Sequence, residues 1–233
     1  MSQPLQNKVA LVTGANGGLG THVTATLLEA GATVAGVARN ISQDDFRDSA
    51  FFAFPAEITN ADVARKTVEA VVSQFGRIDV LAHLVGGFAG GKTVAQTDDA
   101  MFQSMLDLNL TSAFNILRVV IPGMRQAKSG RIIAIGSRAA EEPAATIAAY
   151  SASKAALVSL IRTVALENKD LPITANVILA GTMDTPGNRK AMPKADPSQW
   201  VQPASIASLI VWLASDAGKD VNGAAIPVYG RGL

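Results

Sequence analysis

Short apolar segments alternate with longer segments of helical period along this chain. This alternation predicts parallel strands joined by crossover helices. Because most of the short segments are apolar at every position, we expect a sheet that is buried on both faces. The predicted strands are Val9–Val12, Thr33–Val37, Phe51–Phe54, Val80–Val85, Arg131–Ile135, Ile173–Ile178 and Ala225–Val228.

Segments of helical period lie between the predicted strands. They are Gly18–Ala30, Ala61–Phe75, Asp98–Gln126, Ala149–Glu167 and Pro203–Ala214. Gly31 and Gly76 directly follow two of these helices, as is typical of helices that end in a left-handed residue. The whole pattern predicts an α/β fold: a single Rossmann-type, doubly wound domain over residues 1–233, with a seven-stranded parallel sheet and helices on both faces.

One long segment, Gly181–Gln202, has no clear periodicity and contains Pro186, Pro193 and Pro197. A loop of this length in a compact domain is usually functional or disordered. Since it follows a strand, at the edge where open α/β sheets bind ligands, we predict a substrate lid. A mobile surface loop is the alternative.

Composition limits the classes of partner. The chain is 48% apolar and 17% charged, with a formal net charge of +1 and scattered basic residues, so we expect neither nucleic acid nor an acidic membrane as a partner. Residues Met1 to Lys8 do not resemble a signal peptide, and no apolar run approaches the roughly 20 residues that span a bilayer. We therefore expect a cytoplasmic protein. Without cysteine, and with His22 far from other ligand residues, no metal site is expected.

A glycine-rich turn follows the first predicted strand and runs into a helix. Its glycines are Gly14, Gly17, Gly18 and Gly20, and the motif spacing is that of Gly14, Gly18 and Gly20. Glycine lets the backbone approach a phosphate group closely, and a helix N-terminus offers N–H groups and a positive dipole end. The turn therefore predicts a dinucleotide phosphate site, to which Asn16 and Leu19 also contribute. A tight turn without a ligand is the alternative.

The end of the second strand bears on the choice of dinucleotide. The sequence there is Val37-Ala38-Arg39-Asn40, about 20 residues past the glycines, where an NAD-binding unit places an acidic residue on the ribose 2′-hydroxyl. Arg39 instead suits the 2′-phosphate of NADP(H), with Asn40 beside it. NADP(H) is therefore favoured and NAD(H) remains possible. An exposed arginine at a strand end is the alternative.

Further motifs match a known family. The chain carries Thr13-Gly14-x-x-x-Gly18-x-Gly20 and Tyr150-Ser151-Ala152-Ser153-Lys154, with Ser137 thirteen residues before Tyr150 and Asn109 twenty-eight before Ser137. With these motifs it resembles the short-chain dehydrogenase/reductase family over nearly its whole length. The resemblance implies an oxidoreductase that interconverts a carbonyl and an alcohol by hydride transfer, with an active site of Asn109, Ser137, Tyr150 and Lys154.

Each residue of this group fits that chemistry. Tyr150 and Lys154 lie four residues apart on one helix face, and a nearby ammonium is expected to lower the phenol pKa from about 10, which improves a general acid or base. Lys154 would also hold the nicotinamide ribose, Ser137 would donate to the substrate oxygen, and Asn109 would help to hold a proton-relaying water. The alternatives are a surface Tyr–Lys pair, a turn-forming Ser137, and an Asn109 that pairs backbone at a helix kink.

The resemblance also implies further cofactor contacts, some at altered positions. His83-Leu84-Val85-Gly86 stands where many family members have Asn-Asn-Ala-Gly, and a structural His83 is favoured over a catalytic one. Val85 and Gly86 would still approach the cofactor. The adenine is expected beside Glu57 and Ile58, and the nicotinamide beside Gly181, Met183 and Thr185.

Three functions remain open at this point. The favoured one is an NADP(H)-dependent reductase or dehydrogenase for a small-molecule carbonyl or alcohol. The alternatives are a dinucleotide-sensing regulatory or binding protein with little or no turnover, and a subunit whose main role is assembly. Because helices that carry Asn109 and Tyr150 often pack against a partner in this family, we expect a homodimer or homotetramer. The substrate depends on Phe88, Trp200 and the segment Gly181–Gln202.

Overall fold

The sheet has seven parallel strands, as predicted. The structure is a computed structural model that describes residues 3–231. The strand order is β3-β2-β1-β4-β5-β6-β7, and every neighbouring pair is parallel. The strands are β1 (Val9–Thr13), β2 (Thr33–Ala38), β3 (Phe51–Pro55), β4 (Val80–His83), β5 (Gly130–Ser137), β6 (Ile173–Ala180) and β7 (Ala225–Val228).

Helices cover both faces of this sheet and give two cores. The helices are α1 (Gly20–Glu29), α2 (Ala61–Phe75), α3 (Asp99–Leu106), α4 (Ser112–Ala127), α5 (Ala148–Glu167), α6 (Pro186–Ala191) and α7 (Pro203–Ala214). Leu11 of β1 lies in the core that contains α2, α4 and α5, whereas its neighbours Ala10 and Val12 lie in the core that contains α1 and α7. The strands are apolar at successive positions because both faces are buried. The predicted doubly wound α/β class is confirmed.

Local signals explain where several helices begin and end. The Asn60 side chain accepts hydrogen bonds from the backbone N–H groups of Asp62 and Val63 and so caps α2. This helix ends at Gly76, where φ is 77°, and α1 is followed by Gly31 with φ 91°. Both glycines therefore occupy the predicted left-handed conformation.

The long helix predicted over Asp98–Gln126 contains a π-helical segment. This segment, Asp107–Thr111, lies between α3 and α4 and carries Asn109. A π segment inserts one extra residue into a turn and is frequent at functional sites. It therefore accounts for an inward-facing asparagine within an otherwise amphipathic helix.

This same helical stretch is long and apolar enough, by length and composition, to cross a membrane. The sequence contains no uninterrupted apolar run of that length, so this was not expected. The core helix of a soluble protein can be equally long and apolar. In this stretch, 44% of the most apolar 18 residues is buried inside the protein. Ile116, Val120 and Met124 pack in the α2–α4–α5 core, so the packing is that of a core helix.

Several predicted bounds differ from the structure by one or two residues, and two differences have a clear local cause. Strand β4 ends at His83, two residues early, because the N–H of Leu84 turns to the backbone oxygen and hydroxyl of Thr13. The segment 181–202 contains the unpredicted helix α6, which Thr185 caps by accepting from the N–H of Asn188. An ion pair between Asp184 and Arg189 holds the same turn. A lid role for this segment stays a prediction.

Candidate active site

A cleft runs along the carboxyl edge of the sheet and has a volume of about 1280 Å³. The residues predicted to contact a dinucleotide all line it. They are Gly14, Asn16, Gly18, Leu19, Gly20, Arg39, Asn40, Glu57, Ile58, Val85, Gly86, Tyr150, Lys154, Gly181, Met183 and Thr185. Ser137 lines the cleft as well, and Asn109 lies directly behind it. Their individual contacts with a cofactor stay predictions.

The glycine turn is packed too tightly for side chains. A Cβ on Gly20 would lie 1.9 Å from the carbonyl oxygen of Gly14, and a Cβ on Gly18 would lie 3.0 Å from Cβ of Thr185. Gly14 has φ 71°, which favours glycine. No side chain within residues 3–231 caps the start of α1. The first N–H groups of this helix are therefore suited to an anion such as a pyrophosphate.

The other end of the cleft combines one arginine with carboxylates. Arg39 Nε lies 3.6 Å from Glu57 Oε2, and both side chains are exposed. Asn16 Nδ2 donates to the backbone oxygen of Asn40 at 3.1 Å and to Asp45 Oδ2 at 3.0 Å. Asp45 was missed by the sequence analysis. Its signal was the pair Ser42 and Asp45, which form a capping box that holds the carboxylate in place.

Lys154 is buried at the centre of the cleft wall. Its Nζ donates to the backbone oxygen of Ile135 at 2.8 Å, and burial lowers its pKa from 10.5 to about 8. A Cβ on Gly86 would lie 3.1 Å from this Nζ and 2.8 Å from Asn109 Oδ1. Glycine at position 86 therefore leaves the space in which the lysine and the asparagine approach the cleft.

Tyr150 lies one helical turn before this lysine on α5. Burial raises the pKa of its phenol above 10.0, and the Ser137 hydroxyl makes the smaller, opposing contribution. The prediction that the Lys154 ammonium lowers the phenol pKa is therefore wrong for this structure. The physical reason is that the ammonium is directed to the backbone of Ile135, while the phenol is largely removed from water.

Ser137 is the last residue of β5, at the sheet edge predicted for it. Its Oγ accepts a hydrogen bond from the N–H of Ala139 at 3.2 Å and so caps the short turn that follows. Ser137 thus forms a turn, as the alternative prediction stated, and it also lines the cleft. Because Oγ is the acceptor in this bond, its own O–H remains available as a donor to the phenol or to a substrate oxygen.

Asn109 connects three parts of the site. Its Oδ1 accepts from the N–H of Gly87 at 3.0 Å, and its Nδ2 donates to the oxygen of Gly87 at 3.1 Å and to Ser153 Oγ at 3.0 Å. The backbone pairing at a helix irregularity, considered above as an alternative, is therefore present. Since Ser153 directly precedes Lys154, Asn109 fixes the loop after β4 against the reactive turn of α5.

His83 stands where many family members have an asparagine, and each nitrogen of its imidazole has a hydrogen-bond partner. Nδ1 lies 2.9 Å from Thr13 Oγ1, and Nε2 lies 3.4 Å from Ser112 Oγ. Ser112 donates its own proton to the oxygen of Leu108, so it can only accept from the ring. The hydrogen bonds thus assign a neutral ring protonated at Nε2. Burial, followed by repulsion from Lys154, lowers the pKa of His83 from 6.5 to about 3.

These features together define a nucleotide-dependent oxidoreductase site: a parallel sheet, a glycine turn before α1, and serine, tyrosine and lysine at one edge. Comparison with known proteins agrees with this class. The profile of the short chain dehydrogenase family matches residues 8–196. The chain therefore belongs to the short-chain dehydrogenase/reductase family. It is an NAD(P)-dependent oxidoreductase that acts on alcohol or carbonyl groups of small molecules.

The similarity to individual proteins covers nearly the whole chain. The short chain dehydrogenase adrF of Penicillium rubens is 30% identical over 96% of both chains. The NADP active-site complex of RhlG from Pseudomonas aeruginosa is 29% identical, with a TM-score of 0.89 over 97% of this chain and 96% of that one. An NAD⁺-bound xylitol dehydrogenase is 25% identical, with a TM-score of 0.87 over 97% and 99%. Similar structures therefore hold either dinucleotide.

The buried His83 predicts a specific loss of stability in acid. Its pKa is lower in the folded chain than the ordinary 6.5, so its contribution is complete above about pH 6.5 and is lost as the pH falls toward 3. Between about pH 7.5 and pH 5 this loss amounts to about 2 kcal/mol. We expect His83→Asn to remove this part of the pH dependence in urea unfolding.

The exposed His22 on α1 provides the matched control, because the chain has only two histidines. His22→Asn should keep the wild-type dependence on pH. The comparison uses slopes and not absolute stabilities, so a general weakening by His83→Asn does not affect it. An unchanged slope in His83→Asn would show that the ring is not held neutral in the folded protein.

Proposed function

We propose that the protein is an NADP(H)-dependent oxidoreductase that interconverts a ketone and a secondary alcohol, with Tyr150 as the general acid and base. The observation that carries this proposal is the buried ammonium of Lys154 one helical turn from Tyr150, at the sheet edge that also holds Ser137. A buried cation in a ligand cleft is costly in a purely structural role and is typical of functional sites.

The side chains divide the work at the substrate oxygen. A bound nicotinamide supplies or accepts the hydride. Tyr150 donates its phenolic proton to the oxygen during reduction and removes a proton from the alcohol during oxidation, while the Ser137 hydroxyl donates a hydrogen bond to the same oxygen. The raised phenol pKa keeps Tyr150 protonated at neutral pH, which is the form required for reduction.

Lys154 supports this chemistry through its charge and its position. With a pKa of about 8 it is mostly an ammonium at pH 7, and its bond to Ile135 fixes it near the reactive turn. Its remaining N–H donors are suited to ribose hydroxyls. Gly86 leaves space beside Nζ because it has no Cβ, and Asn109 holds the loop that contains this glycine. We assign Lys154 to cofactor orientation and to stabilisation of negative charge on the substrate oxygen.

The preference for NADP(H) rests on Arg39. Its guanidinium is exposed at the end of β2 and can bind a 2′-phosphate through two donors. Glu57 opposes this preference, because its carboxylate pairs with the same guanidinium and would lie near an added phosphate. An exposed pair of this kind is weak, about 0–1 kcal/mol, so a dianionic phosphate should displace the carboxylate.

Tyr150→Phe should leave NADPH binding within about twofold of wild type and lower kcat by at least about 100-fold, because general acid–base catalysis contributes this much or more. Steady-state reduction of a ketone panel and fluorescence titration with NADPH measure the two effects. Tyr229→Phe is the matched control, since Tyr229 is the only other tyrosine and lines the same cleft. Full turnover by Tyr150→Phe would refute the assignment.

Charge changes at the adenosine end should move cofactor preference in opposite directions. We expect Arg39→Asp to raise Kd for NADPH at least about tenfold relative to NADH, because the 2′-phosphate loses its donors and meets a carboxylate. Glu57→Gln should instead favour NADPH. Arg47→Asp, an equal charge change at an exposed residue outside the cleft, controls for long-range effects. Parallel shifts for both cofactors in Arg39→Asp would contradict the assignment.

We further propose that the chain forms a homodimer or homotetramer. Phe102 on α3, Phe114 on α4 and Trp212 on α7 expose large apolar side chains away from the cleft. Light scattering at tens of micromolar protein should give two or four times the chain mass of 24.1 kDa. A mass of one chain at that concentration would contradict this proposal.

A further inference from the structure

Several large apolar side chains from separate parts of the chain line the cleft. Phe88 comes from the loop after β4, and Ile147 directly precedes α5. Met192 and Trp200 come from the segment 181–202, and Tyr229 follows β7. Since these side chains line the cleft that also holds Tyr150, they limit what the reacting group can be attached to.

Phe88 is the most informative of these residues. Its side chain is 67% exposed, although its ring centroid lies 5.0 Å from that of Tyr150 with an interplanar angle of 75°. Met192, which also lines the cleft, is 39% exposed. Large apolar side chains that stay in water within a cleft mark a surface that a ligand covers. An apolar group bound next to the reactive phenol would cover the Phe88 ring.

Charged groups on this side of the cleft are already paired within the protein. Arg138 Nε donates to Glu142 Oε2 at 2.6 Å, and its guanidinium lies 5.1 Å from the centroid of the Tyr229 ring. Lys154 is directed to the backbone of Ile135. A substrate carboxylate near Arg138 would have to compete with Glu142 for one guanidinium, whereas an uncharged group meets no such competition.

We propose that the substrate is an uncharged, mainly apolar ketone, or the corresponding secondary alcohol, with a ring or other bulky hydrocarbon packed against Phe88 and the other apolar side chains that line the cleft. This proposal rests on the function proposed above. In reduction, the carbonyl carbon gains a hydride from NADPH, which becomes NADP⁺, and the carbonyl oxygen gains the phenolic proton of Tyr150. A proton from the solvent then converts the Tyr150 phenolate back to the phenol, so that atoms and charges balance.

Two ketones of the same ring size test the charge requirement. The probes are 4-tert-butylcyclohexanone, which is neutral, and 4-oxocyclohexanecarboxylate, which carries an anion at the same ring position. We expect kcat/KM with NADPH to be at least about tenfold higher for the neutral probe. Equal values, or a preference for the carboxylate, would overturn the proposal.

Removal of the phenyl ring tests the contact itself. Phe88→Ala should raise KM for 4-tert-butylcyclohexanone about tenfold while Kd for NADPH stays unchanged, and Phe88→Leu should recover much of the loss because it restores apolar area. Leu166→Ala is the matched control, since Leu166 is 70% exposed and lies outside the cleft. An unchanged KM in Phe88→Ala would remove Phe88 from the substrate site.

The outcomes separate this proposal from the function on which it rests. If wild-type protein reduces the carboxylate probe best and Tyr150→Phe abolishes that activity, the general acid assignment stands and the apolar substrate class is wrong. If neither probe nor any other ketone is reduced although NADPH binds, both proposals fail, and the chain is a dinucleotide-binding protein without this turnover.

Discussion

The buried ammonium of Lys154 is the interaction around which the site is arranged. A cation at this depth needs a partner, and the oxygen of Ile135 provides one at the carboxyl end of β5. The space beside it exists because position 86 has no Cβ, and the loop that contains this glycine is held by Asn109 from the π segment. The charge of Lys154 thus stays accessible in the cleft because of three features: the edge of the sheet at β5, the π segment and Gly86. The same burial lowers the lysine pKa and raises that of Tyr150.

Elements with local signals were predicted from the sequence most accurately. Helix α2 has a capping asparagine at its start and a left-handed glycine at its end, and its predicted bounds agree with the structure. Helix α7 begins at Pro203, which is favourable in a first helical turn. The five inner strands were found because burial of both faces makes them mostly apolar, and the partly exposed edge strands β3 and β7 are also mostly apolar. The positions of Ser137, Tyr150 and Lys154 at one edge then follow from the topology and from the spacing on one helix.

Features that depend on tertiary contacts could not be predicted in the same way. Helix α6 has only six residues and no buried face, so its cap at Thr185 and the Asp184–Arg189 pair give no periodic signal. The π segment shifts the register by one residue, which a hydrophobic pattern does not resolve. Asp45 accepts a hydrogen bond from Asn16, which lies 29 residues earlier in the sequence. The pKa of the Tyr150 phenol depends on its burial, which the spacing of Tyr150 and Lys154 does not specify. The pairing of His83 with Thr13 and Ser112 belongs to the same class.

The most direct test of this account is hydride transfer by a chain that lacks only the buried charge. Wild type and Lys154→Gln would each be given 4-tert-butylcyclohexanone with NADPH deuterated at nicotinamide C4, and the alcohol product would be analysed by mass spectrometry. We predict one deuterium per product molecule for wild type and a rate at least about 100-fold lower for Lys154→Gln, with circular dichroism confirming that the variant is folded. Deuterated alcohol formed at the wild-type rate by folded Lys154→Gln would contradict the account.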